Sequence, residues 1–138
     1  MRVISLGLSL CFIATAALAD EQFLTFKSPS GNILCSMAGG DEPGVRCDML
    51  SLTQTYTMRP EGCEFGWGQS FYIGAYASKG ELACVNDALS VSKHTPVLPY
   101  DARLDYAGIT CVSEKAGMTC GNEEGHGFTL SKAKQQLY

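Results

Sequence analysis

Seven cysteines, at positions 11, 35, 47, 63, 84, 111 and 120, are the most reactive residues of this chain. Thiols ligate metals, exchange disulfides or close structural bridges, and spacing separates these uses. Structural zinc sites favour knuckles with only a few residues between cysteines. Here the gaps between the last six hold 11, 15, 20, 26 and 8 residues. No Cys-x-x-Cys redox pair is present. Bridging is therefore the expected use, with no metal and no other cofactor.

The remaining candidates are aromatic or basic. His126, in Gly125-His126-Gly127-Phe128, follows Glu123 and Glu124, and a carboxylate-oriented imidazole is what general-base chemistry employs. No nucleophile motif such as Gly-x-Ser-x-Gly accompanies it. The plainer expectation is a turn histidine, and no catalytic residue is assigned. His94, between Lys93 and Thr95, has no partner in the sequence. Trp67, with Tyr72, Tyr76 and Tyr100, offers faces for a sugar or a protein, against the alternative of core packing. The expected binding residues are Trp67, Tyr100 and His126.

Arg2, the apolar run from Val3 to Ala16 and Ala17-Leu18-Ala19 read as a cleavable secretory signal. A lipid on Cys11 is the competing reading, but Leu10 is bulky where lipobox cleavage wants a small residue. With residues 1–19 removed, six cysteines remain, the even number that a fully oxidised exported domain requires. Periplasm or medium is the expected location, and no transmembrane anchor is expected after processing. Residues 20–138 then form one disulfide-stapled domain of ordinary size. Nine basic and fourteen acidic residues leave it at a net charge of −5, which argues against nucleic acid or an anionic membrane as partner.

Short β-prone segments separated by turn residues predict an all-β fold: a small antiparallel sheet, sandwich or partly open barrel with little helix. Residues 32–37 and 45–50 flank Gly39-Gly40-Asp41-Glu42-Pro43-Gly44, and residues 70–77 and 81–85 flank Ser78-Lys79-Gly80. Residues 108–112 and 118–120 flank a turn ending in Gly117, and residues 125–131 form the last expected strand. Between 86 and 106, Pro96 and Pro99 oppose regular structure, leaving at most a helical turn near 87–92. Residues 132–138 read as a short helix or a frayed tail.

Six cysteines allow fifteen pairings. Two cysteines facing each other across a hairpin must have their midpoint in the turn. Cys35 with Cys47 centres on Asp41, and Cys111 with Cys120 centres between Lys115 and Ala116. Cys63 with Cys84 is left, tying a loop to a strand. The first two units also resemble one another, as Gly-x3-Cys … Val-Arg-Cys-Asp and Gly-x2-Cys … Met-Thr-Cys-Gly. Two units are fewer than repeat architectures need, so this reads as a shared device.

The segments Phe26-x-Ser28-Pro29-Ser30-Gly31-Asn32-Ile33-x-Cys35, Val45-Arg46-Cys47-Asp48, Trp67-Gly68, Leu98-Pro99-Tyr100, Gly117-Met118-Thr119-Cys120 and Gly125-His126-Gly127-Phe128-x-Leu130-Ser131 together resemble an uncharacterised family of small exported bacterial domains. Asp101 departs from it, standing where glycine is expected. The resemblance implies export and paired cysteines and transfers no catalytic residue. The resulting expectation is a non-enzymatic secreted or periplasmic binding module, its partner an envelope or extracellular protein or a glycan. A small exported hydrolase using His126 and a structural envelope protein are the alternatives.

Overall fold

The computed structural model describes residues 22–138, so the secretory reading of residues 1–19, Cys11 included, lies outside the described residues. Ten strands and no helix are present among them: β1 (Phe23–Lys27), β2 (Ile33–Ala38), β3 (Gly44–Met49), β4 (Ser70–Gly74), β5 (Glu81–Leu82), β6 (Arg103–Tyr106), β7 (Ile109–Glu114), β8 (Gly117–Asn122), β9 (Gly127–Ser131) and β10 (Gln135–Leu137). They form two antiparallel meanders, β1-β2-β3-β4-β5 and β10-β9-β8-β7-β6. The protein is all-β, as the turn chemistry predicts.

The two meanders are built on one plan. Cross-strand register aligns Phe26, Cys35, Cys47, Phe71 and Leu82 as a row over the first sheet. The second sheet aligns Leu104, Cys111, Cys120, Phe128 and Leu137 in the corresponding strands. The likeness of two hairpins visible in the sequence thus extends to all five strands of each half. The rows meet face to face: Cys47 Sγ lies 3.8 Å from Cys120 Sγ, and the Phe71 and Phe128 rings are 6.3 Å apart. Ile33, Met37, Val45, Ile73, Ile109, Met118 and Leu130 fill the core around them. Removing these side chains from water is the main drive for the sheets to pack.

Three bridges close: Cys35–Cys47 and Cys111–Cys120, each with Cα atoms 4.1 Å apart, and Cys63–Cys84 at 5.6 Å. The first two link register partners within a sheet. Chain entropy alone makes each of these loops worth roughly 3 kcal/mol. The sulfurs of Cys35, Cys47 and Cys120 lie within 4.8 Å of one another, but each is held in a bridge and is not the thiolate a metal needs.

Three expectations are corrected. Residues 103–106, placed in an irregular stretch, are β6, whose Leu104 and Tyr106 alternate with Arg103 and Asp105. Residues 87–92 form no helical turn. The C-terminal segment is neither helix nor frayed: β10 pairs with β9, and Gln135 is buried. Asp101, where glycine was expected, has φ 66°, the left-handed conformation in which glycine costs least.

The register also orders the ends of the sandwich. One end gathers the turn 28–32, the turn at 115–116 and the turn 132–134, and there the backbone of Thr53 donates to the Lys132 carbonyl. The opposite end gathers the turns 39–43 and 123–126, where Asn122 Nδ2 donates to the carbonyls of Gly74 and Ala77.

Candidate functional site

The halves part where β3 continues into β4. That connection, residues 50–69, is 20 residues long, whereas its counterpart between β8 and β9, residues 123–126, has four. A long connection would be loose unless tied down, and this one is tied repeatedly. Asn32 pairs through its amide with both backbone groups of Ser51, at 2.9 Å each. Thr55 N donates to Gln135 Oε1 and Thr55 Oγ1 accepts from Gln135 N, both at 2.9 Å, while the Tyr56 hydroxyl accepts from Leu137 N at 2.8 Å. These contacts also occupy amides on the outer edge of β10, where another strand would otherwise add. Cys63 is bridged to Cys84, and Gly66 and Val85 exchange backbone hydrogen bonds.

After β5 the chain crosses the outer face of the first sheet. Leu89 N donates to Asp48 Oδ2 at 2.9 Å, Arg46 Nη2 donates to the Asp87 carbonyl at 2.7 Å, and Lys27 pairs in parallel with residues 96–98 at the far edge. This crossing segment explains why Leu34, Asp48 and Ser70, which point away from the core, are nevertheless buried. Arg46 grips Asp48 with two parallel hydrogen bonds of 2.8 and 2.7 Å. Such a fork is directional, and breaking a largely buried pair strands a charge.

Between the long loop, the crossing segment and the sheet is a cavity of about 280 Å³, lined by Leu34, Asp48, Trp67, Gln69, Val85 and Leu89 among others. Trp67 is half-buried in its wall. Gly68, with φ 94°, turns the chain between Trp67 and β4 in a conformation that side-chained residues rarely adopt. On the loop itself Leu50 is 64 % exposed, Met58 82 % and Phe65 56 %. The cavity is mainly apolar with a few fixed polar groups, the usual character of a ligand site.

The residues expected to bind are not brought together. Trp67 and Tyr100 lie at the same end of the sandwich but line different cavities. His126 is at the opposite end, in the turn between β8 and β9. Its backbone N–H donates to Asn122 Oδ1 at 3.1 Å, and its carbonyl accepts from Asn122 N. Glu124 N also donates to Asn122 Oδ1. Among the described residues no side-chain hydrogen bond joins the imidazole to Glu123 or Glu124. Gly127 follows because a Cβ there would run into the Cys120 carbonyl. His94 is exposed in the crossing segment. Of the other tyrosines, Tyr76 is exposed at the His126 end, and Tyr72 faces outward on β4. Burial raises the Tyr72 phenol's pKa, with Glu42 and Glu81 adding to the effect.

Sequence reasoning missed Asp48, Asn122 and Gln135, three buried polar side chains that hold loops to the sheets. Asn122 left a signal: two residues after Cys120 it has core-facing parity, and a polar residue there needs partners. Asp48 left none, because its burial depends on a segment about forty residues away.

The chain belongs to a family of unknown function (DUF6636), whose model matches residues 4–138. Comparison with curated proteins and with solved structures gave no match.

Proposed function

We propose that this member of a family of unknown function is a non-enzymatic binding module, exported to the periplasm or medium, that engages a protein through residues 50–69 and the Trp67 cavity. The observation behind this reading is the asymmetry of two otherwise matching halves. Only the first has a 20-residue β3–β4 connection with its own bridge, and that connection exposes Leu50, Met58 and Phe65. Exposed apolar side chains on a fixed loop are what an interface uses, since the cost of ordering the loop is met before the partner arrives. Glu61 and Glu64 precede Phe65 on a chain of net negative charge, which favours a cationic partner surface. The signal-like residues 1–19 support export, and three bridges suit an oxidising compartment.

The test is site-specific photo-cross-linking in the native compartment, with the probe at Met58 and, as control, at Val112 on the outer face of the second sheet. Capture of one protein from position 58 and not from 112 is expected. Affinity for that purified protein should fall by about 2 kcal/mol or more in Trp67→Ala, the range of an aromatic hot spot. Equal capture at both positions, or binding indifferent to Trp67, would overturn the reading.

A further inference from the structure

A second cavity lies at the same end of the sandwich, where turns from three hairpins converge. It is a cleft of about 260 Å³ lined by Ser30, Asn32, Tyr100, Glu114, Lys115 and Lys132, with Ser28, Ile33, Ala116 and Gly117 completing it. Residues 28–33 span the β1–β2 turn and the first residue of β2, 114–117 are the tip of the β7–β8 hairpin, and Lys132 comes from the β9–β10 turn. Each element is held independently of the cleft. Ser28 Oγ accepts from Ile33 N at 3.1 Å and meets Ser30 Oγ at 3.2 Å, and Ser30 Oγ accepts from Asn32 N. Tyr100 is fixed by a turn in which Ala102 N donates to the Pro99 carbonyl at 3.0 Å and Asp101 N to the Ser113 carbonyl at 2.7 Å. The left-handed Asp101 sets the exit of that turn.

We infer that this cleft binds an acidic sugar, with the Tyr100 ring against the pyranose face and Lys115 and Lys132 taking up the ring's carboxylate. Tyr100 is 40 % exposed and so offers an aromatic face, the surface that stacks on sugar C–H groups. Both lysines are exposed, and neither belongs to an ion pair among the described residues, where the two pairs present use Arg46 and Arg103. Two lysines outside both ion pairs therefore share one small cleft with a single carboxylate residue, Glu114, which leaves the cleft net positive in a chain whose net charge is negative. Ser30 and Glu114 add a hydroxyl and an acceptor for ring hydroxyls.

The site is separate from the Trp67 cavity and is tested separately. The disulfide-intact, isotope-labelled protein is titrated with tri-galacturonate, with neutral galactotriose and with acetate, and backbone amide shifts are followed by NMR. Saturable shifts confined to residues 28–33, 100 and 113–117 and to the neighbourhood of 132 are expected with tri-galacturonate. Binding should be at least about tenfold weaker with the neutral trisaccharide, a difference of about 1.4 kcal/mol. Lys115→Ala/Lys132→Ala should abolish the preference for the acid, Lys115→Arg/Lys132→Arg should retain it, and Tyr100→Ala should weaken both saccharides alike. These side chains are exposed, so an unchanged thermal midpoint will show the variants folded. The inference is overturned by an absence of saturable shifts, by acetate matching tri-galacturonate, by equal affinity for the neutral sugar, or by shifts centred on Trp67.

Discussion

In the first meander the outward row Lys27, Leu34, Asp48 and Ser70 is roofed by the crossing segment, and Asp48 is buried beneath it. In the second, the counterpart positions Asp105, Thr110 and Gly121 stay half-buried or exposed, as does the neighbouring outward row Arg103, Val112, Thr119, Thr129 and Gln136. Its hydroxyls satisfy one another, Thr119 with Thr129 at 3.2 Å and Thr129 with Tyr138 at 3.1 Å. Inward, the same sequence of apolar, cysteine, cysteine, aromatic and leucine positions recurs. The shared row therefore accounts for the fold, and the unshared connections account for the cavity at Trp67.

The sharpest way to break this equivalence is to remove each central bridge in turn. Cys35→Ala/Cys47→Ala and Cys111→Ala/Cys120→Ala should each cost about 3 kcal/mol or more, from restored chain entropy and the space left in a buried core. Denaturation midpoints would measure both. A small loss for one and a large loss for the other would show that the halves do not share the load. Cys63→Ala/Cys84→Ala has a similar entropic cost but should leave both sheets paired and the loop 50–69 exchanging its amide hydrogens faster. That difference separates scaffold bridges from the site bridge.

A smaller effect sharpens the comparison at one position. Ser113 stands in β7 where β2 has Met37, and its hydroxyl is fully buried with no hydrogen-bond partner among the described residues. Ser113→Ala removes an unsatisfied group, and a gain of about 1 kcal/mol is expected. A loss measured by thermal or urea unfolding would mean that the hydroxyl has a partner.

The smallest effect concerns the outer face of the second sheet. Arg103 donates two hydrogen bonds to Asp105, Thr110 Oγ1 donates a third, and together they hold the Asp105 carboxyl down at about 2, below its usual 3.8. Because the folded-state value is the lower one, this contribution is present above about pH 4 and is lost as pH falls towards 2. Asp105 is exposed, so the effect is slight. Asp105→Asn should flatten stability slightly across that window, and an unchanged acid limb in pH-dependent denaturation would count against the pair.

Much of the scaffold was legible because hairpins concentrate their signals. The glycine-rich turn at 39–44 and the turn before Gly117 fall midway between cysteines, where cross-strand partners require them. β10 was illegible because Gln135 faces the core as a polar hub: its amide donates to Thr53 and Ser131, so the usual apolar alternation is missing. β6 does alternate, as Arg-Leu-Asp-Tyr, but four residues after a proline-rich stretch are a short signal. Trp67 stood out as the single tryptophan. Its cavity did not, since Leu34, Asp48 and Leu89 meet only through the crossing segment, a contact that no local spacing encodes.

The bridges also decide what a protease can release. The tips at 39–43, 75–80 and 115–116 each lie between two cysteines joined to one another. Cleavage there leaves both new ends covalently attached, so a molecule cut at these turns keeps every fragment in place. Only cuts in the unbridged connections, above all the crossing segment between the two halves, can separate one sheet from the other, and then only by pulling apart the core they share.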